Sequence, residues 1–536
     1  MNRTNVVARP LRHVALCAGL LLAGCSSGSG APAGGGNNNT GGTPPPPTGF
    51  AVFSSDRANA GVFEPWIASY DGADLRALGA LLPDDGATVE WGCRLSSDGR
   101  HLAAVTAAFG EHHYTVVDVE AGTARTLPFV DFVPTNGAYF TFSPDGERLL
   151  LTRKDGAGDL RSHLMDADGS NDAELTFGAA QTTVGSWSPT SEHFLCRVRP
   201  EQPAEESLYL CRKDGMIALD LMPAIGQARN SQHYTWSADG SRLAFEFGSE
   251  PSGGGDPRNQ LWLYDPATTT LEAKTSPVEG LANHGLSADG ATVAYSHLGA
   301  GANRTELYVT STLGGAAIFV AFDPTGAVEW APAGDHLAFF TFDAVTSTQA
   351  LHVADSSGAT RRLDGMLTSG QFVTEMRWSP DGRWLAFVAD LQLPRREIWV
   401  ADVTAPDPPV LVADGASFGD GRRLCWSPDG GWLYAIQRDL ATQRDELHAW
   451  PAGDWAAVRS LGDAVPGSLV NAPGPFVSAP YEPTPDSLGV VWRRPVAGTS
   501  QVDVLYGRPD DPGGARVISS ATLPASGGGV RQLFAR

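Results

Sequence analysis

A short motif that recurs at a nearly fixed interval restricts the folds open to this chain more than any other feature. Its clearest copy is Trp378-Ser379-Pro380-Asp381-Gly382, followed by Arg383-Trp384-Leu385-Ala386-Phe387. Pro presets φ for the first turn position, Asp bonds nearby backbone N–H groups, and Gly accepts φ > 0. An apolar residue before the turn and an apolar run after it make the two strands of a hairpin. The position of the turn Asp falls at Asp98, Asp145, Thr190, Asp239, Asp289, Ala333, Asp381, Asp429 and Asp486, with spacings of 47, 45, 49, 50, 44, 48, 48 and 57. Three residues earlier stand Leu95, Phe142, Trp187, Trp236, Leu286, Trp330, Trp378 and Trp426, and only Pro483 breaks that column. Four residues later stand Leu102, Leu149, Phe194, Leu243, Val293, Leu337, Leu385, Leu433 and Val490, all apolar. A period in this range marks a repeat architecture.

Within each period a further strand and a polar turn follow, as in Glu306-Leu307-Tyr308-Val309 and Glu397-Ile398-Trp399-Val400-Ala401-Asp402, and then a short outer strand such as Arg361-Arg362-Leu363. No convincing amphipathic helix interrupts them. Four short antiparallel strands per period make the blade of a β-propeller. The fold class is thus all-β, with about ten repeats. Phe50-Ala51-Val52-Phe53 and Pro65-Trp66-Ile67-Ala68-Ser69-Tyr70 form a first unit with no inner strand of its own. At the other end, Val530-Arg531-Gln532-Leu533-Phe534 has the form of an inner strand with nothing after it. We expect that run to complete the first blade and close one ring of ten, since closure leaves no sheet edge at the seam. Two smaller rings in tandem are the alternative.

The N-terminus has another character. Arg3, Arg9 and Arg12 precede an apolar run from Val14 to Leu22, which is too short to span a bilayer and has the form of a secretory signal. The run ends in Leu22-Ala23-Gly24-Cys25, which resembles the bacterial lipobox. That resemblance implies a signal peptide over 1–24 and lipid attachment at Cys25. Ser26 follows, with no Asp there, which by the usual sorting pattern favours the outer membrane. Acyl chains add membrane affinity of about 0.8 kcal/mol per buried CH₂. Residues 25–49 hold Gly, Ser, Asn and Pro and nothing apolar enough to pack, so they form a disordered tether ahead of a propeller over 50–536. The formal charge is −22, and loss of residues 1–24 removes three Arg and no acid, leaving −25. Such a chain repels phosphate backbones, which argues against nucleic acid as a partner.

Leu164-Met165-Asp166-Ala167-Asp168-Gly169-Ser170-Asn171, ending at Leu175-Thr176, resembles the second hairpin of TolB-type propeller repeats. Phe142-Ser143-Pro144-Asp145-Gly146 resembles the first hairpin of the same family. The likeness covers nearly all of residues 50–536. It implies the repeat and no particular activity, because such blades serve TolB itself, dipeptidyl-peptidase-like enzymes and many envelope proteins. TolB also carries an N-terminal domain, where this chain has only a tether.

Candidate sites are few. One Asp per blade is a turn device. Asp166, Asp168, Asn171, Asp172 and Glu174 form an oxygen-rich run without the spacing of a calcium loop. His112 and His113 are placed in a loop, after Glu111. His101, His193 and His336 share one repeat position at a strand start, and His233 and His284 precede inner strands near a mouth of the central channel. Cys196 and Cys211 fall on consecutive strands of one blade, which leaves open a disulfide or two separate buried thiols. Cys93 and Cys425 sit in inner strands as small core residues. No Cys pair has the spacing of a zinc or redox site, and no Gly-Lys-Ser/Thr phosphate loop occurs. We expect no metal, no cofactor and no catalytic set local in sequence. The repeats leave no room for an appended hydrolase domain. The expected role is a lipid-anchored envelope scaffold that binds a protein or glycan partner. The alternatives are a lyase or hydrolase on glycans or peptides, with residues gathered from several blades at the channel mouth, and a TolB-like partner of envelope transport machinery.

Overall fold

The recurring turn builds the same hydrogen-bonded unit in most copies. Ser379 Oγ donates to Asp381 Oδ1 at 2.5 Å, Asp381 Oδ1 accepts the Arg383 N–H at 3.1 Å, and Ser379 Oγ accepts the Trp384 N–H at 2.8 Å. The same Ser/Thr-to-Asp bond spans 2.5–2.7 Å in the turns that begin at Ser96, Ser143, Ser237, Ser287, Ser427 and Thr484. Two copies replace the turn Gly by a serine held at positive φ, Ser191 at 64° and Ser487 at 61°. That conformation is unfavourable for a side chain. Each serine hydroxyl instead accepts a backbone N–H from the preceding blade's turn, Asp145 at 2.9 Å and Asp429 at 3.0 Å. A local cost is thereby offset by a bond between blades.

The computed structural model describes residues 49–56, 63–82, 88–108, 111–127, 140–178, 181–199, 207–221, 233–249, 258–299, 304–343, 345, 348–365, 371–392, 395–414, 424–439, 442–464, 480–496, 501–519 and 530–535. Among them the only helix is a 3-10 turn, Gly79–Leu81. The strands form ten antiparallel four-stranded blades, numbered in chain order by their second strands, Phe50–Ser55, His101–Ala108, Arg148–Lys154, His193–Arg199, Leu243–Ser249, Thr292–Leu298, Leu337–Asp343, Trp384–Gln392, Trp432–Arg438 and Val490–Pro495. Blade 5 gains a short extra strand, Val278–Glu279, and a single parallel pair, Gln349 with Phe372, ties blades 7 and 8. The C-terminal strand Val530–Ala535 pairs antiparallel with Phe50–Ser55, setting Leu533 opposite Phe53 and Phe534 opposite Val52. Blade 1 is therefore completed from the far end of the chain, as its missing inner strand required, and the tandem-ring alternative is excluded.

The core is divided among the seams between blades. Successive residues of a strand face opposite sides of its sheet. In the second strand of blade 8, Leu385 and Phe387 pack against blade 7, while Ala386 and Val388 pack against blade 9. Ten such clusters, one per seam, run round the ring, and the cluster holding Phe53, Tyr70, Tyr506 and Leu533 joins blade 10 to blade 1. The apolar column four residues after the turn Asp is the part of each second strand that faces the preceding blade. The tryptophan column also ties blades polarly. Trp187, Trp330, Trp378 and Trp426 donate their indole N–H groups to Thr141, Gly285, Glu329 and Arg377 carbonyls in the preceding inner strand, at 3.0–3.5 Å.

Antiparallel order fixes the two ends of the ring. The Ser-x-Asp-Gly turns and the turns into the outer strands lie at one end, the turn end. The second strands end, the third strands begin and the outer strands finish at the other, the link end. The chain enters at the turn end, where Gly49 C=O accepts the Tyr70 N–H at 3.1 Å.

The Ala333 turn has neither the Ser nor the Asp, and the turn of the next blade packs directly onto its backbone. Gly382, at φ +72°, lies over this turn, and a Cβ on it would stand 2.0 Å from the Ala333 carbonyl oxygen. Gly382→Ala is expected to lower stability by roughly 2–3 kcal/mol through left-handed strain plus the backbone clash. Urea unfolding of the two proteins checks this, and a midpoint within error of wild type would contradict the packing.

Candidate functional site

The second strand's position seven residues after the turn Asp faces the next blade. It holds Val105, Thr152, Ser296, Phe340, Val388 and Ile436 in six blades, but Arg197, Glu246 and Arg493 in the other three. Glu246 and Arg493 are buried, and burial pulls the Arg493 guanidinium down to about 10. An ionisable group at a position built for apolar contact costs folding energy unless it is partnered or neutral. Two of the three lie on neighbouring blades, 4 and 5, and they define the candidate site.

Glu246 lies on Leu243–Ser249 of blade 5. Leu243, Phe245 and Phe247 face blade 4, while Ala244 faces blade 6, so Glu246 turns toward blade 6. Its residue exposure is 6%. Its Oε1 is 3.9 Å from His233 Nε2, beyond hydrogen-bond reach, and its Oε2 has no partner among the described residues. Burial pushes the Glu246 carboxyl up to about 7. His284 approaches from the inner strand of blade 6, Ala282–Leu286. The register slips there between Ala282 and Gly285, and Asn283 has φ 47°. A slip of this kind re-aims a side chain. Both ring nitrogens of His284 are shielded and lack a partner with hydrogen-bond geometry among the described residues. Burial, then the charge of His233, pulls the His284 imidazole down to about 4, with the Ala244 backbone acting weakly the other way. His233 is lowered by burial and by Arg197. Arg197 in turn lies 5.4 Å over the Tyr234 ring, whose hydroxyl burial raises. The indole chain of bonds also breaks at this seam, where Trp236 Nε1 has no partner among the described residues.

The cluster occupies the half of blades 4–6 toward the link end. At neutral pH it combines a carboxyl near half-ionisation with neutral imidazoles, groups able to donate or accept a proton. No three His, Cys, Asp or Glu among the described residues gather in a metal-binding group. A second charged group lies on inner strands of blades 7 and 8. There Glu329 is raised by burial, and Arg377 contacts Glu375 at 3.5 Å.

His101 and His193 begin second strands, and His336 immediately precedes one. His112 and His113 are not in a loop; they belong to the third strand Glu111–Asp118 of blade 2, opposite Ala107 and Thr106. The oxygen-rich run is internally spent. Asp166 pairs with Arg148 and accepts from Asn171 at 2.6 Å, Asp168 holds Ser170, and Asp172 bonds His163 at 2.8 Å and Arg153 at 2.9 Å. Cys93 and Cys425 are buried in inner strands. Cys196 lies opposite Tyr209 and Cys211 opposite Phe194, so the two sulfurs are diagonal neighbours rather than a facing pair. The disulfide left open by the sequence is not formed, and both are free thiols, Cys196 pushed up to about 12 by burial. Diagonal cross-strand positions lie about 7–8 Å apart, wider than a disulfide spans without backbone movement. Cys25 lies outside the described residues. So do two Gly-x-Ser-x-Gly strings in the sequence, Gly24–Gly28 and Gly415–Gly419.

No protein-family model matches the sequence, and no curated protein matches it. Among solved structures, the chain is similar to a eukaryotic initiation factor at 11% identity and TM-score 0.46, over 76% of this chain and 94% of that one. It is similar to an oligogalacturonate lyase in complex with manganese at 14% identity and TM-score 0.39, over 86% and 98%. It is similar to TolB from Acinetobacter baumannii at 18% identity and TM-score 0.24, over 59% and 63%. Likeness this distant says nothing of substrate or partner. What its own sheets establish is a β-propeller of ten four-stranded blades closed by the C-terminal strand, with an ionisable cluster from blades 4, 5 and 6 toward its link end.

Proposed function

We propose that this chain is a lipid-anchored bacterial envelope propeller that serves as a binding scaffold, held to the outer membrane through Cys25 and offering its link end to a protein or glycan partner. The observation that carries this reading is the entry of the chain at the turn end, with Gly49 fixed against Tyr70. A tether leaving there turns the opposite end, with His233, Glu246 and His284, away from the lipid. The strongly acidic charge favours partners other than nucleic acid and anionic surfaces. A TolB-like place beside envelope transport machinery is a narrower form of the same reading and rests on the repeat resemblance alone.

Cys25→Ala is expected to abolish palmitate labelling and move the protein from the membrane to the soluble fraction. Unchanged membrane retention would sink the anchored reading. An enzyme acting on glycans or peptides is the second reading, favoured by the raised Glu246 carboxyl 3.9 Å from His233. Turnover of such a substrate that Glu246→Gln abolishes would replace the binding role.

A further inference from the structure

We propose that the outer part of blade 6, on its face toward blade 5, is a binding site for a neutral saccharide. This goes beyond the anchored scaffold and stands without it. Strand register sets two rows on that face: Tyr295, Tyr308 and Phe319 in one, His297, Glu306 and Phe322 in the next. Their rings touch in series. His297 stacks on Tyr308 at 5.2 Å and 3°, Tyr308 meets Phe319 edge-on at 5.9 Å, and Phe319 meets Phe322 at 4.6 Å. The inner end is covered, with Tyr295 only 5% exposed, whereas Phe319 is 42% and Phe322 44% exposed. Rings held by neighbours on one side and open on the other are already ordered for a ligand, which lowers the entropy lost on binding.

The outer strand Ile318–Phe322 is also unlike the other blade edges. Every other described outer strand contains a charged residue, such as Arg76, Arg125, Glu272 or Arg361, and this strand contains none. Edge strands without charge or another guard invite contact. A second strand is a poor occupant, because the register slips between Leu307 and Tyr308, leaving Val320 as an extra residue and breaking the regular row of backbone groups along the edge. Charge selects the ligand further. Arg304 is spent on Asp323 at 2.7 Å and lies 4.5 Å over the Phe322 ring, and Glu306 accepts the Tyr308 hydroxyl at 2.6 Å. The patch thus presents apolar ring faces bordered by hydrogen-bonding groups, with the Arg304 charge cancelled by Asp323 and the Glu306 carboxylate left as its one unbalanced charge. That combination matches a pyranose, which has a C–H face and peripheral hydroxyls and carries no charge. An anionic polymer would face a chain of formal charge −22 with no free cation in the patch among the described residues.

The test is affinity electrophoresis of the full chain through gels containing laminarin, barley β-glucan, galactomannan, dextran or polygalacturonate. At least one neutral gel is expected to retard the wild-type protein, and Phe319→Ser and Phe322→Ser should each weaken that association at least tenfold. Both rings are substantially exposed, so thermal melts should be nearly unchanged. Saturation-transfer NMR of the wild type with the soluble neutral glycan should show contact without any variant. Retardation by polygalacturonate alone, retardation by no gel, or equal retardation of wild type and variants would overturn the proposal. So would a concentration-dependent dimer abolished by the same substitutions in the absence of glycan, since the occupant would then be a second copy.

Discussion

Removal of residues 530–536 is expected to open the ring and produce the largest loss of stability of any short deletion in this chain. The deleted strand supplies the whole inner edge of blade 1, pairing with Ala51 through Ser55. Its Leu533 is 3% exposed and packs in the cluster with Phe53, Tyr70, Val491, Val504 and Tyr506. Loss of one buried leucine and about five ladder hydrogen bonds amounts to roughly 5–8 kcal/mol. The cost is also spatially defined. Elements of a repeat protein depend mainly on their neighbours. Hydrogen exchange should therefore rise first in Phe50–Ser55 and in blade 10, at Val490–Pro495, and last in blades 5 and 6. Leu533→Asp should reproduce most of the effect by placing an unpaired carboxylate in the same seam. A truncated protein that melts with the wild type, or loses protection evenly round the ring, would show that strand 530–535 is not a structural closure.

Glu246→Gln is expected to stabilise the protein at pH 8 by on the order of 3 kcal/mol and to change it little at pH 4. The ordinary carboxyl value is 4.5 and burial raises the folded group to about 7. Between those values the unfolded chain has lost a proton that the folded chain keeps, so the glutamate's contribution to stability falls as pH rises and is fully lost above the folded value. His284 acts with the opposite slope. Its ordinary value is 6.5 and its folded value about 4, so over that window the unfolded ring takes a proton that the folded ring refuses, and stability falls as pH drops. His233, lowered by burial and Arg197, adds to the histidine side. The two slopes oppose in the wild type between about 4.5 and 6.5. With the carboxyl gone, stability should climb from pH 4 to about 6.5 and then level off. Urea melts across this range, paired with hydrogen exchange of Leu243–Ser249 to localise the effect, check the prediction. Superimposable wild-type and variant profiles would mean that Glu246 is ionised and solvated at neutral pH.

Much of the architecture was legible in the sequence because each repeat solves the same local problem. The turn needs an oxygen to bond its own backbone, as the bonds from Ser379 to Asp381 and onward to Trp384 show. The strand after it needs an apolar residue against the preceding blade, and Leu385 and its eight equivalents supply that. The irregular copies were equally readable as positions, but their consequence was not. Ser191 and Ser487 stand where glycine usually does, and only the stacked turns show their hydroxyls reaching across to Asp145 and Asp429.

The candidate site was legible only in part. His233 and His284 drew attention as histidines near inner strands. Glu246 and Arg197 did not, although aligning the column seven residues after the turn Asp would have isolated both against Val105, Thr152, Phe340, Val388 and Ile436. The cysteines show the same limit from the other side. Their strands were correctly paired, yet a two-residue offset put Cys196 opposite Tyr209, and no spacing in the sequence carries that register.

By itself the sequence determined the repeat, its four-stranded unit and the missing strand that demands closure, because hydrogen bonding and burial within a hairpin depend on residues close in the chain. Only the tertiary structure decided which groups from different blades meet. Glu246 and His284 share a seam, and Phe319 emerges from a ladder begun at Tyr295, because those encounters depend on register and on the side each strand turns to its neighbour.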